Sequence, residues 1–356
     1  MGRVDGAGAA SAGPKGGSVS ESEVAVTRAV TRAVTSAVEN AAQNAPQSVA
    51  PDAIAGAAGM GGGRRVSELT QRIAFGVVAA PLTVWLVVVG GAPLVALLAV
   101  TAAVGAWELY RIARAGGARP IEGIGIPLAA ALPIVVAAEP RGVFTVAPGF
   151  AAGMLMLVFA LAIWLRRDEG RALSAVATTL FGAAYTGGLL SFAFAIRYHR
   201  YIADDRGGSA LLLLPLVLAW ANDIGAYAVG RALGRRKLLP AVSPGKTVAG
   251  AVGGLAVTVL GCWLYVGHVL RPWAELGLSP LNIVIFGVAI SIAAQIGDLA
   301  ESLLKREAGV KNSSRLFPGH GGVLDRVDSL LFVLPVAYML FDIPGFLLMA
   351  PTSGIP

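Results

Sequence analysis

The polar residues of this chain gather in three stretches. These are NDIGAYAVGRALGRRKLLPAVSPGKTVAGAVGG (Asn222 to Gly254), QIGDLAESLLKR (Gln295 to Arg306) and VKNSSRLFPGHGGVLDRVDS (Val310 to Ser329). Asp223 and Asp298 lie within or at the ends of apolar runs, and Asp325 and Asp328 open the last one. A carboxylate in such a run is costly and normally faces a polar cavity with a partner. Carboxylates that meet at one depth could hold a divalent cation, and Mg²⁺ favours oxygen ligands that it shares with substrate phosphates. The plainer alternative pairs each Asp with a nearby Lys or Arg. Lys246, Lys305, Arg306, Lys311, Arg315 and Arg326 border the same face. Arg clamps a phosphate bidentately and Lys presents a point charge. Taken alone these cations would be ordinary positive-inside bias. Combined with the aspartates, they are equipment for phosphoryl or nucleotidyl transfer, where charge on transferring oxygens must be offset.

PGHGG, which includes Gly321 and Gly322, allows backbone N–H groups to approach an anion closely, because glycine lacks Cβ and tolerates unusual φ. SPGKT resembles the tail of a P-loop only superficially. The glycine required five positions before Gly245 is Pro240, so that site is rejected. His320 could donate to a phosphate, act as an acid or be a structural hydrogen-bonder. Tyr227 and Tyr338 read as packing residues. Glu108, in AWELYR, reads as an interfacial anchor beside its helical neighbour Arg111. The single cysteine, Cys262, excludes an intramolecular disulfide and a Cys/His metal cluster, and reads as a small buried hydrophobe.

The elements that must position these groups are apolar. Of 356 residues, 56% are hydrophobic and 14% charged, against about 25% charged in soluble domains; mean hydropathy is +0.71. The expected fold is an all-α polytopic integral membrane protein. About nine helices are expected, near 73–90, 93–110, 121–138, 144–165, 173–196, 209–230, 248–270, 281–299 and 327–349, since backbone in lipid must satisfy itself within each segment. With a cytoplasmic N-terminus, the outside loops hold only Arg141, Arg197, Arg200, Arg206 and Arg271, and the inside loops hold the other loop cations. The net charge of +7 then fits cytoplasmic loops and anionic lipid rather than nucleic acid. Residues 1–62 read as a low-complexity, disordered tail, with Val26, Val30, Val34 and Val38 on one face of a weak helix as the alternative. The tail has no apolar core of the kind that marks a signal peptide, and GMGGGRR reads as a hinge after it. Helices over 63–205 form an N-terminal membrane part, and 206–356 the catalytic region.

The segment SLLKREAGVKNSSRLFPGHGGVLDRVD (Ser302 to Asp328) closely resembles the signature of the phosphatidate cytidylyltransferase, or CDP-diacylglycerol synthase, family. DIGAYAVGR, SPGKTVAG and QIGDLAES resemble three further motifs of that family, so the likeness runs from about Asn222 to Leu340. Two positions depart from the pattern: Asn312 stands where the family has Asp, and Ala249 where it has Glu. The resemblance implies that CTP and phosphatidic acid react to give CDP-diacylglycerol and pyrophosphate, with Mg²⁺ on Asp298 and Asp325. It implies that Lys305, Arg306, Lys311, His320 and Arg326 serve catalysis. Asp223, Ser243, Lys246, Thr247, Ser302, Gly321, Gly322 and Asp328 would contact substrate, with Asp223 and Asp328 orienting the cations or binding a second ion. No protein nucleophile is needed, because phosphatidate is already an anion.

Three alternatives stay open. A cation-coupled transporter would place acids near mid-span in both halves with internal symmetry, whereas here they cluster on one side and in one half. Another CTP-dependent enzyme could act on a different lipid phosphate. A catalytically weak homologue or a scaffold would fit Asn312 and Ala249. The inner membrane of a bacterium, with the site on the cytoplasmic side, is the expected location. A homodimer is implied by the resemblance alone.

Overall fold

A computed structural model of the protein describes residues 80–139, 148–166, 171–202, 204–314 and 321–349. The N-terminal tail, its valine repeat and the hinge lie outside these residues. The described chain forms helices α1 (Ala80–Val89), α2 (Gly91–Ala115), α3 (Glu122–Ala138), α4 (Pro148–Arg166), α5 (Ala172–Arg197), α6 (Asp205–Leu233), α7 (Val248–Ala274), α8 (Pro280–Glu307) and α9 (Leu324–Phe341). Six of them, α2 and α4 to α8, are long and apolar enough to cross a membrane. Helices α1 and α3 are apolar but shorter, and α9 opens on Asp325, Arg326 and Asp328.

Local chemistry sets the helix starts. Asp204 accepts from Gly207 N–H at the head of α6 (2.7 Å), and Thr247 accepts from Gly250 N–H at the head of α7 (3.1 Å). Ser279 accepts from Asn282 N–H, with Pro280 pre-set for the first turn of α8. Helices α5 and α7 each pass through a π turn, at Ala184–Gly188 and Val266–Leu270.

The last apolar run is helical only to Phe341, not to 349. Asp342, Pro344 and Gly345 (φ 75°) end the helix, and Leu348–Met349 pairs instead with Leu276–Gly277. A second departure from all-α is a hairpin between α6 and α7. In it Lys237–Leu239 (β1) pairs antiparallel with Ser243–Thr247 (β2), so SPGKT is a strand that runs directly into α7.

The core is built from both halves of the sequence. Leu94, Leu98 and Tyr110 of α2 belong to one apolar cluster with Leu211, Leu214, Phe286, Leu331 and Phe341. Rings lock α9 in place: Tyr338 against Phe192 of α5 (5.4 Å between centroids), and Phe341 stacked on Phe286 of α8 (4.9 Å). Cys262 is buried and free, as expected of a small hydrophobe. Helix α4 is the least covered of the six, with Met156, Ile163 and Trp164 exposed, as suits a surface meant for lipid.

Candidate functional site

A cavity of about 420 Å³ opens between α6, the hairpin, α7 and α8. Helix α6 contributes Asp223, Tyr227 and Arg231, four residues apart and so on one face. From the hairpin come Lys237, Lys246 and Thr247, and from α8 come Gln295 and Asp298. Lys246 Nζ lies 2.6 Å from Asp298 Oδ2, while Asp298 Oδ1 has Ser302 Oγ at 3.5 Å. The cavity floor is polar and connected. Asn222 donates to Asp223 (3.4 Å), Ser291 Oγ donates to Asn222 Oδ1 (2.7 Å), and Gln295 Nε2 donates to Ser291 Oγ (3.0 Å) and the Ala251 carbonyl (3.2 Å).

On α8 the residues Ser291, Gln295, Asp298, Ser302 and Lys305 recur every three or four positions, which aligns them in a single stripe. The stripe leads from the cavity to a second cluster. Lys305 Nζ donates to Glu301 Oε2 (2.7 Å) and Asp325 Oδ1 (2.6 Å). Asp325 Oδ2 collects Gly322 N–H (2.8 Å), Ser313 N–H (3.2 Å) and Ser313 Oγ (2.8 Å). Glu301 is fully buried, and among the described residues its Oε1 has no hydrogen-bond partner. Asp328 sits within electrostatic reach of Asp298, Lys305 and Asp223 and so joins the two clusters.

The described glycines of this motif, Gly321 and Gly322, lie against side chains of the protein. Gly322 gives its N–H to Asp325, a carboxylate of the protein itself. A Cβ at Gly321 (φ 78°) would meet Asp325 Oδ2, and one at Gly322 would run into Ser313 Oγ and Glu108 Oε1. Glycine is needed here for close approach to side chains.

Glu108 is not an interfacial anchor. It is fully buried. Oε1 accepts from Ser314 Oγ (2.5 Å) and Val323 N–H (3.0 Å), and Oε2 accepts from Leu324 N–H (2.6 Å), with Ser313 Oγ 3.2 Å away. Burial decides against the anchor reading, since a buried carboxylate needs donors and Ser314, Val323 and Leu324 supply three. Tyr227 also departs from expectation. It is exposed at the cavity, and its hydroxyl accepts from Arg231 (3.0 Å). Tyr338 packs, as read.

Of the remaining candidates, Arg306 is exposed and donates to the Val242 carbonyl (3.3 Å), which ties α8 to the hairpin turn. Ser243 is on β2, and Arg326 is exposed in the first turn of α9. Lys311 and Asn312 line a different cavity of about 760 Å³ with Trp107 and Arg111, whose guanidinium lies 4.9 Å from the indole centroid. His320 lies outside the described residues.

Among the described residues no three His, Cys, Asp or Glu side chains are gathered for a metal ion. Both Asp325 oxygens are engaged by donors. Asp298, with one ion pair and one long contact, is the more available oxygen donor. Such a set suits an ion that takes one or two carboxylates and completes its shell with substrate phosphates.

Over residues 70–343 the sequence matches the Cytidylyltransferase family. It is 33% identical over 278 residues to a phosphatidate cytidylyltransferase of Bacillus subtilis, covering 77% of this chain and 97% of that protein. A phosphatidate cytidylyltransferase of Synechocystis sp. is 32% identical over 296 residues, covering 76% of this chain and 95% of the relative. A shorter match, 44% over 140 residues, relates 39% of the chain to 48% of a phosphatidate cytidylyltransferase of Haemophilus influenzae.

Proposed function

The chain belongs to the cytidylyltransferase family, and we propose that it is a membrane enzyme that transfers the cytidylyl group of CTP to phosphatidate. The observation that carries this reading is the Lys246–Asp298 pair on the wall of a cavity of about 420 Å³, rimmed by Arg231 and Lys237. A cavity of this size and polarity suits a nucleotide. A phosphate oxygen of the lipid attacks the α-phosphorus of CTP. One P–O bond forms there, the bond from the α-phosphorus to the bridging oxygen breaks, and pyrophosphate carries away the electron pair. Lys246, Lys237 and Arg231 hold triphosphate oxygens and offset their charge. Asp298 directs Lys246, and Asp223 faces the same space.

An Mg²⁺ ion would take Asp298 as its more accessible protein ligand, and Asp325 would join it only by giving up one of its present donors. When bound it would neutralise charge on the triphosphate. Lys305, whose other partner is Glu301, holds Asp325 in place.

We read all nine helices as crossing or entering the bilayer, with the hairpin, the C-terminal end of α2 and the signature loop at the cytoplasmic face of a bacterial inner membrane. The positive-inside asymmetry supports this orientation. Substituted-cysteine accessibility in a Cys262→Ser background checks it: labelling of a cysteine at Leu239 from the outside would reverse the assignment.

The functional test is a cytidylyltransferase assay in detergent with phosphatidic acid, labelled CTP and Mg²⁺. Labelled CDP-diacylglycerol from the wild type is expected, with none from Asp298→Ala or Asp325→Ala and none after chelation. No product with any lipid phosphate, from folded protein, would overturn the reading.

A further inference from the structure

We infer that Glu108 is a positioning residue of the transfer site, an acceptor supplied by the N-terminal half of the chain that clamps the signature loop and so fixes Asp325. The inference rests on the reading of the site given above. Glu108 lies 206 to 216 residues from the groups that donate to it. Its burial is complete, so its lone pairs have no water in exchange.

Two features make the clamp specific. The first is at the head of α9. Val323 is the N-cap there and its side chain makes no capping bond. The free N–H groups of Val323 and Leu324 are instead accepted by the two Glu108 oxygens, at 3.0 and 2.6 Å. Glu108 therefore does for α9 from a distance what an N-cap side chain does locally, and its charge meets the positive end of the helix. The second feature is Ser313. Its hydroxyl lies 3.2 Å from Glu108 Oε2 and 2.8 Å from Asp325 Oδ2. The single hydroxyl proton of Ser313 goes to the nearer Asp325, while the adjoining Ser314 donates to Glu108. Any loosening at Glu108 is transmitted to Asp325 through this serine pair and through the first turn of α9.

Glu108→Gln is the sharpest probe, because it keeps the shape and replaces one acceptor edge with an amide donor. That edge then faces N–H donors with a donor of its own. Hydrogen exchange at Val323 and Leu324, measured on the full-length protein in detergent, is expected to speed up at least tenfold. In the same protein kcat is expected to fall by one to two orders of magnitude while KM for CTP stays within about twofold, since Glu108 does not line the nucleotide cavity. Glu108→Asp, which keeps both acceptor oxygens, is expected to recover part of kcat. Should Glu108→Gln not fold, Ser314→Ala removes a single donor and is expected to lower kcat severalfold with KM for CTP unchanged.

Wild-type exchange and wild-type kcat in Glu108→Gln would overturn the inference. So would a fall in kcat with no change in exchange at Val323 and Leu324. Exchange is read without turnover, so its acceleration in a chain inactive towards every lipid phosphate would uphold the clamp and refute the assigned reaction instead.

Discussion

Lys246 and Asp298 meet at 2.6 Å across the join between a two-stranded hairpin and a membrane-spanning helix. Neither side chain is deeply buried, at 25% and 37% exposed, so the contact is partly screened and adds little stability. Its value lies in placing a cation and an anion on the wall of the cavity. Lys246→Met and Asp298→Asn are each expected to reduce kcat/KM by about 10²–10³, the usual cost of removing a charge-stabilising group. Because the two act as one unit, the double variant is expected to be little worse than the poorer single one. Strictly multiplicative losses in a full mutant cycle would show instead that they act independently.

Lys305 is a different case. It is 12% exposed and bridges Glu301, fully buried, and Asp325, 14% exposed. Removing it in Lys305→Met leaves two carboxylates without their counter-charge, and the expected loss of stability is about 3–5 kcal/mol. Combining Lys305→Met with Glu301→Gln removes one orphaned charge and should recover part of that loss. Thermal midpoints in detergent decide the matter; a double variant no more stable than Lys305→Met would contradict it.

The two sites that depart from the family pattern do not line the cavity that holds Lys246 and Asp298. Asn312 is exposed beside Lys311 in the other cavity, and Ala249 is in the first turn of α7. A carboxylate at the head of a helix gains about 0.3–1 kcal/mol from its dipole, so Ala249→Glu should raise the thermal midpoint slightly. Both Ala249→Glu and Asn312→Asp are expected to change kcat/KM by no more than about twofold, corresponding to the ~0.5 kcal/mol typical of surface substitutions. A tenfold gain from either would mean that the chain is impaired at that position.

What could be read from the sequence follows from how local each signal is. The membrane helices are legible because apolar length and loop charge are properties of contiguous residues. Asp298, Lys305 and Asp325 are legible as a set because they crowd a short polar stretch. Glu108 escaped because its donors are more than 200 residues away and a single acid beside Trp107 carries no pattern. Glu301 is hidden for a related reason: only the fold buries it. The hairpin was missed because its strands are three and five residues long, without alternation and with Pro244 inside the second. The close contacts of Gly321 and Gly322 are not legible, since sequence cannot distinguish room for an anion from room for a neighbouring carboxylate.

His199 provides a test of the fold at the end opposite the site. It follows α5 in a short connection, and its side chain is completely buried among Tyr201, Tyr338 and Phe341. Among the described residues neither ring nitrogen has a hydrogen-bond partner, and Asp342 is 3.8 Å away. Burial pushes the imidazole pKa down to about 4, against an opposing pull from Asp342 and with help from Arg200. An unfolded histidine titrates near about 6.5. Between those values the folded protein binds fewer protons than the unfolded chain, so stability rises with pH across the window. The contribution is complete above about 6.5 and is lost as pH falls towards about 4. The thermal midpoint of the wild type should therefore drop from pH 7 to pH 5 by more than that of His199→Phe, which keeps a ring in the pocket and cannot be protonated. Every other group is common to the two proteins, so the comparison isolates His199. Identical pH profiles for the two would mean that His199 is protonated in the folded protein, with Asp342 close enough to hold the charge.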